Sequence, residues 1–256
     1  MTTDVALVMG LAGTGKTTLT GALVRWMKRR GLRASAVNLD PGVRGIPYEP
    51  AYDVREMVTV EDVMEREGLG PNGAILRAID ILAEDENLER LVRGLESVDA
   101  DFIVVDTPGQ AEAFALRASG RRIVGAISAR FSRTTAVFLG EVGSDVLVED
   151  FLTAALLAKI IELKLDVGVV PALNKADLGG GERLKEIWTS VLRGETRDLI
   201  LEGGGVASEA LSELLEAIKE FRTAQRVALI SAREERGLDE LFDMLVEVWC
   251  ACGDMT

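Results

Sequence analysis

Val5-Ala6-Leu7-Val8-Met9-Gly10-Leu11-Ala12-Gly13-Thr14-Gly15-Lys16-Thr17 decides how the chain is read. Its first five residues are apolar and predict a buried strand; its last eight match G-x-x-x-x-G-K-[ST] at every fixed position. The spacing has a chemical reason. Glycines at Gly10, Gly13 and Gly15 let the backbone, with Thr14 in the same turn, wrap a phosphate with its N–H groups. The helix that follows, predicted from Lys16 to about Arg30, points its N-terminal dipole at the anion. Lys16 is placed to reach β and γ phosphates and the Thr17 hydroxyl to ligate Mg2+, with Thr18 beside it.

Outward from this turn, apolar runs alternate with stretches of helical period. Ala34–Leu39, Asp101–Val105, Ala136–Leu139, Val167–Pro171 and Val227–Ile230 read as further strands. Helical patterning covers Gly73–Leu95, Val146–Leu165, Glu182–Leu192, Ser208–Phe221 and Leu238–Cys250. The alternation predicts a three-layer α/β P-loop fold, with a mostly parallel central sheet and helices on both faces. A length of 256 residues suits one domain over 1–256. Within it, an irregular insertion is expected around 41–73 and a helical one around 111–161. The glycine clusters at 179–181 and 203–205 read as loops.

Composition narrows the functions. Hydrophobic residues make up 48%, enough for a buried core, and the net charge is −13. Such a chain does not track a nucleic-acid backbone, which needs clustered Lys and Arg. It can still hold nucleotide phosphates in one local basic pocket. The two cysteines, Cys250 and Cys252, are too close for an unstrained disulfide, so a reducing, cytoplasmic setting is expected. With no histidine in the chain, a soft-metal site on this pair would need ligands from a partner. The N-terminus lacks the pattern of a secretory leader, and the longest later apolar stretch, Phe151 to Ile161, carries Lys159 and is too short to span a bilayer. No membrane association is expected.

Two further motifs name the metal and the base. Phe102-Ile103-Val104-Val105-Asp106-Thr107-Pro108-Gly109-Gln110 is an apolar run ending in D-x-x-G. A carboxylate at such a strand tip holds Mg2+ beside a P-loop, here Asp106 with Thr17, and Gly109 can offer its N–H to a γ-phosphate. Asn174-Lys175-Ala176-Asp177 is N-K-x-D. Asp177 would accept from guanine N1 and N2 while Asn174 contacts the other edge. Adenine inverts that pattern and would leave a buried Asp177 unpaired. Ser231-Ala232-Arg233 resembles a weaker GTPase element that brings the Ala232 backbone to the guanine carbonyl.

Asn38-Leu39-Asp40-Pro41, Pro47-Tyr48, Asp53-Val54-Arg55-Glu56 and Gly68-Leu69-Gly70-Pro71-Asn72-Gly73 precede Asp106–Gln110, Asn174–Asp177 and Ser231–Ala232. In this order, across nearly the whole chain, they resemble the GPN-loop GTPases, the single-chain archaeal members most closely. The resemblance implies GTP and GDP as ligands, Mg2+, and a homodimer with nucleotide near the subunit interface. It implies that Gly70-Pro71-Asn72 reaches the partner's site, where Asn72 contacts the phosphate region. It makes Asp40, Gln110 and Glu112 the candidates for handling the hydrolytic water, although an acid at Glu112 also suits a helix start. Arg55 and Glu56 are read as interface or structural residues. By the same resemblance the client is a protein, RNA polymerase or its assembly machinery, and the helices between Ala111 and Ile161 would offer it an apolar groove or serve as core.

Rival readings share the P-loop. A nucleotide-gated scaffold with negligible hydrolysis would use the same residues. A MinD-like ATPase carries a lysine where Leu11 stands, a metal-delivery GTPase needs Cys and His ligands, and a nucleotide kinase lacks the guanine-reading tetrapeptide.

Overall fold

β1 (Asp4–Gly10) is buried along its whole length because it runs through the middle of the sheet, where both faces are covered. The computed structural model describes residues 3–143, 148–193 and 226–251. The chain continues through α1 (Lys16–Arg29), β2 (Ala34–Asn38), β3 (Pro50–Asp53), α2 (Val60–Glu67), α3 (Pro71–Leu82), α4 (Asp85–Glu96) and β4 (Phe102–Asp106). There follow α5 (Ala111–Ala115), α6 (Ala118–Ser128), β5 (Arg133–Glu141), α7 (Val148–Leu165), β6 (Gly168–Asn174), α8 (Gly181–Arg193), β7 (Ala228–Leu229) and α9 (Leu238–Ala251). The described strands form a seven-stranded sheet in the order β3-β2-β4-β1-β5-β6-β7, and every neighbouring pair is parallel.

The pleat sorts the core into two layers. Val5, Leu7 and Met9 face one hydrophobic cluster, shared with α2 through α8. Ala6 and Val8 face the other, closed by Leu19, Leu23, Trp26 and Met27 of α1 and by Leu241, Leu245 and Trp249 of α9. Registers bring the carboxyl ends of the strands level: Val8 and Asn38 pair with Asp106, Asn38 with Asp53, and Glu141 with Asn174. That edge of an open parallel sheet is where loops gather functional groups. Among the described residues no helix is long and apolar enough to cross a membrane.

Three expectations change. The patterned stretch Gly73–Leu95 is two helices, divided at Ala83 and Glu84. The run Glu84-Asp85-Glu86 explains the break, since acids favour the first turn of a new helix. The stretch around 111–161 is not one helical insertion, because β5 lies inside it and pairs with β1. The segment around 41–73 is more ordered than its prolines and glycines suggest. It contributes edge strand β3 and helix α2, which Thr59 caps by accepting the Asp62 N–H and Gly68 ends in a left-handed turn. Gly70-Pro71-Asn72 is accordingly less a loop than a helix start, with Gly70 at the cap and Pro71 in the first turn of α3. The predicted helix Ser208–Phe221, the glycines at 203–205, and Cys252 lie outside the described residues. Cys250 is an exposed free thiol.

Candidate nucleotide site

The P-loop leaves β1 through glycines that the neighbouring strands require. A side chain on Gly10, at φ +152°, would place its Cβ 2.4 Å from the Leu139 carbonyl oxygen of β5. One on Gly15, at φ +91°, would place it 2.6 Å from Nδ2 of Asn174. Gly13 is also left-handed, at φ +82°. Lys16 is buried, and its Nζ donates to the carbonyl oxygens of Gly10 (2.9 Å), Leu11 (2.8 Å) and Gly109 (2.6 Å). Thr14 turns its hydroxyl back onto the Leu11 carbonyl at 2.9 Å. Thr17 is half-buried and Thr18 exposed in the first turn of α1.

Asp106 is 1% exposed at the tip of β4. Its Oδ2 accepts from the Tyr48 hydroxyl at 3.0 Å, whereas Oδ1 is buried with no hydrogen-bond partner. Burial pushes the carboxyl up to about 6, and the neighbouring Thr17 and Tyr48 hydroxyls work against that rise. A buried carboxylate oxygen without a donor, next to a threonine hydroxyl, suits a hard divalent cation that takes oxygen ligands.

A second carboxylate faces the same turn. Asp40 Oδ1 accepts from the Gly42 N–H at 2.8 Å and Oδ2 from the Gly109 N–H at 3.1 Å. Burial raises its carboxyl above the usual range, and the Gly42 and Gly109 N–H groups and Lys16 work against that rise. The Gly109 peptide is thereby held at both ends, its N–H by Asp40 and its carbonyl by Lys16. Behind Asp40, fully buried Asn38 accepts the Asp40 N–H at 3.0 Å and donates to the Asp40 carbonyl (3.1 Å) and to Asp53 (2.9 Å). Arg55 grips Asp53 through Nε and Nη2 and donates from Nη1 to the Val43 carbonyl at 3.1 Å. Burial alone would raise Asp53, yet Arg55 and Asn38 together hold it below the ordinary carboxylate range. Arg55 is thus structural, fastening the 40–43 turn to the sheet edge. Glu56 lies beside it in a 3-10 turn, Val54–Glu56.

At the other end of the P-loop, Asn174 is buried and braces two loops at once. Its Nδ2 donates to the Thr14 carbonyl at 2.8 Å, and its Oδ1 accepts the Ala232 N–H at 2.9 Å. Those bonds make its amide a strut inside the protein, where the sequence suggested direct contact with a base edge. Asp177 is half-buried rather than buried, because it sits in a short 3-10 turn, Ala176–Leu178, at the surface. Its Oδ1 accepts from the buried Ser231 hydroxyl at 2.6 Å, which holds the carboxyl below its usual range. Lys175 adopts a left-handed backbone at φ +68° and forms an ion pair with Glu141.

A cleft of about 250 Å³ is lined by Asp40, Gly109, Gln110 and, from α3, Pro71, Asn72 and Ile75. It brings three of the four candidates for water handling and phosphate contact together; Gln110 and Asn72 are both exposed there. The side chain of Glu112 lies outside the described residues, although its backbone opens α5. The sequence reading gave no role to Tyr48, Asn38, Asp53 or Glu141. A polar residue at the end of an otherwise apolar strand, Asn38, was the available signal.

Asp106→Asn tests the electrostatics of this corner. The raised carboxyl means that the folded protein binds a proton more readily than the unfolded chain, so the wild type loses stability as pH rises through about 6. Asparagine removes that loss. Calorimetry of nucleotide-free protein is expected to show the variant more stable at pH 8 by on the order of 2 kcal/mol, or roughly 4–8 °C, with the gap closing as pH falls from about 6 to about 4. A variant that is less stable at pH 8 would show that the ionised carboxylate is well solvated.

Comparison with known proteins agrees with this geometry. A family model described as "Conserved hypothetical ATP binding protein" matches residues 8–251. The chain is 35% identical over 259 residues to GPN-loop GTPase PAB0955 of Pyrococcus abyssi, covering 98% of this chain and 100% of that protein. It is 30% identical over 241 residues to GPN-loop GTPase 1 of Dictyostelium discoideum, covering 93% of this chain and 60% of that longer one. The crystal structure of PAB0955, titled a GTPase in apo form, aligns with a TM-score of 0.81 at 33% identity over 97% of this chain and 98% of its own. With a P-loop, a D-x-x-G turn and an N-K-x-D corner joined by the hydrogen bonds above, and with PAB0955 matched end to end, the chain belongs to the GPN-loop GTPase family.

Proposed function

We propose that the protein binds GTP with Mg2+ and hydrolyses it to GDP and phosphate. The observation that carries this reading is the Asn174 strut, which fixes the Asp177–Ser231 corner at a set distance from the P-loop. A carboxylate acceptor held there matches the N1–H and N2–H donors of guanine and mismatches adenine. Lys16 would exchange its carbonyl partners for phosphate oxygens. Mg2+, held by Thr17 and Asp106, would neutralise charge on the β and γ phosphates. Asp40, raised by burial, would hold or polarise the attacking water together with Gln110, and Gly109 would turn its N–H from Asp40 to the γ-phosphate.

We further propose a cytoplasmic homodimer in which Asn72 serves the partner's site, as family resemblance implies. Its exposure at the cleft rim is compatible with reach from a neighbouring chain. An amide can orient water or hydrogen-bond an oxygen, but it cannot neutralise growing charge. The nucleotide cycle would gate binding of a protein client, with RNA polymerase or its assembly machinery as the first candidate. If hydrolysis is negligible, the same residues would make a nucleotide-gated scaffold.

The family description names ATP while the relatives' names specify GTPase, so the first measurement is Mg-dependent phosphate release from each nucleotide. Release from GTP and not ATP is expected; ATP selectivity would refute the guanine assignment. In the same assay Asn72→Ala is expected to slow hydrolysis by about 10- to 1,000-fold, with nucleotide affinity nearly unchanged. Mixing that variant with Lys16→Ala should restore activity if Asn72 acts across the dimer. An Asn72→Ala protein as active as wild type would remove the loop from the chemical step.

A further inference from the structure

We propose that Tyr48 is a positioning residue that sets the orientation of the Asp106 carboxylate and thereby the affinity of the site for its divalent cation. The inference rests on the reading of Thr17 and Asp106 as the metal corner. A carboxylate has two oxygens and turns freely about its last bond unless something fixes its plane. The Tyr48 hydroxyl donates to Oδ2 at 3.0 Å across 58 positions of sequence, and this bond leaves Oδ1 as the oxygen without a donor. An ionised carboxylate only accepts hydrogen bonds, so the phenol must be the donor.

The phenol is itself held by packing. Tyr48 stands between Pro47 and Pro50, which stiffen the chain on either side of it before β3 begins. Its ring packs on the hydrophobic layer closed by α1 and α9. At Gly21 of α1 the helix has no side chain, and a Cβ there would lie 3.4 Å from the ring and from the Tyr48 Cβ. Tyr48 lies in the bend two residues ahead of β3, whose pairing with β2 anchors the segment just after it. Outer partners of metal ligands act in this way, by orienting the ligand and supporting its charge.

The test is Tyr48→Phe, which keeps the ring and its packing and removes only the hydroxyl. The readout is retention of a fluorescent GDP by wild type and variant across a Mg2+ titration, with metal-free affinity measured in chelator. The Mg2+ concentration giving half-maximal retention is expected to rise about tenfold in the variant, with metal-free affinity unchanged and retention recovered at saturating Mg2+. Superimposable Mg2+ curves would overturn the inference and leave the metal corner intact. Equal weakening with and without metal would also overturn it, since it would mark Tyr48 as packing alone. A wild type whose GDP retention ignores Mg2+ would overturn the metal corner and this inference together.

Discussion

Lys16→Ala is expected to reduce GTP and GDP affinity by at least two orders of magnitude while leaving binding of guanosine almost untouched. The ammonium is buried and already commits its hydrogens to three carbonyl oxygens, so it has no competing solvent shell to shed when phosphate arrives. Hydrogen bonds to charged groups contribute about 1.5–3 kcal/mol each, so losing two of them weakens binding by roughly 3–6 kcal/mol. The three carbonyls belong to turns that other bonds hold in place, including those of Thr14 and Asp40. Circular dichroism of the variant is therefore expected to match wild type. Isothermal titration decides the outcome: wild-type affinity for GDP in the variant would place the phosphates elsewhere.

Asp177→Asn is expected to invert base preference. Ser231 donates to Oδ1 of Asp177 at 2.6 Å, and an asparagine oxygen can accept that same bond. Its amide nitrogen then replaces the other carboxylate oxygen as a donor. Guanine presents N1–H and N2–H here: the retained oxygen can still accept one of them, but the amide nitrogen meets the other donor to donor, whereas xanthine keeps N1–H and presents a carbonyl oxygen at C2. One mismatched polar pair weakens binding, so GTP affinity should fall roughly 10- to 100-fold and xanthosine triphosphate should become the preferred ligand. Competition of the two nucleotides for the variant is the measurement. If GTP still wins, Asp177 does not read the base.

The elements that were legible in the sequence share one property: a short-range pattern fixes them. β1 and the P-loop follow from an apolar run meeting obligatory glycines, and Asp106 and Asn174 each mark the end of such a run. The parallel sheet followed from alternation of periods. What was not legible depends on contacts distant in sequence. Edge strand β3 has only four residues, one of them proline, and is made a strand by pairing with β2. Tyr48 gains its role from Asp106, 58 positions away, and Arg55 from the turn at Val43. Asn174 stands out in the sequence by its motif, but which groups its amide touches depends on Thr14 and Ala232, and no spacing rule reports that. The division of Gly73–Leu95 into α3 and α4 was visible in principle, since an acidic run inside a helical pattern marks a fresh start.

Among the described residues the sheet ends in two blunt margins. β3 spans four residues and opens with Pro50, which has no N–H to offer, and β7 spans only two. A parallel sheet this apolar would otherwise expose a ladder on which another chain could grow a strand, the route that leads to runaway aggregation. With both margins cut short, the backbone gives a neighbour little to zip onto. In the proposed homodimer, contacts would then fall to side chains on helices and connecting turns, where they can be made and released without unravelling the sheet.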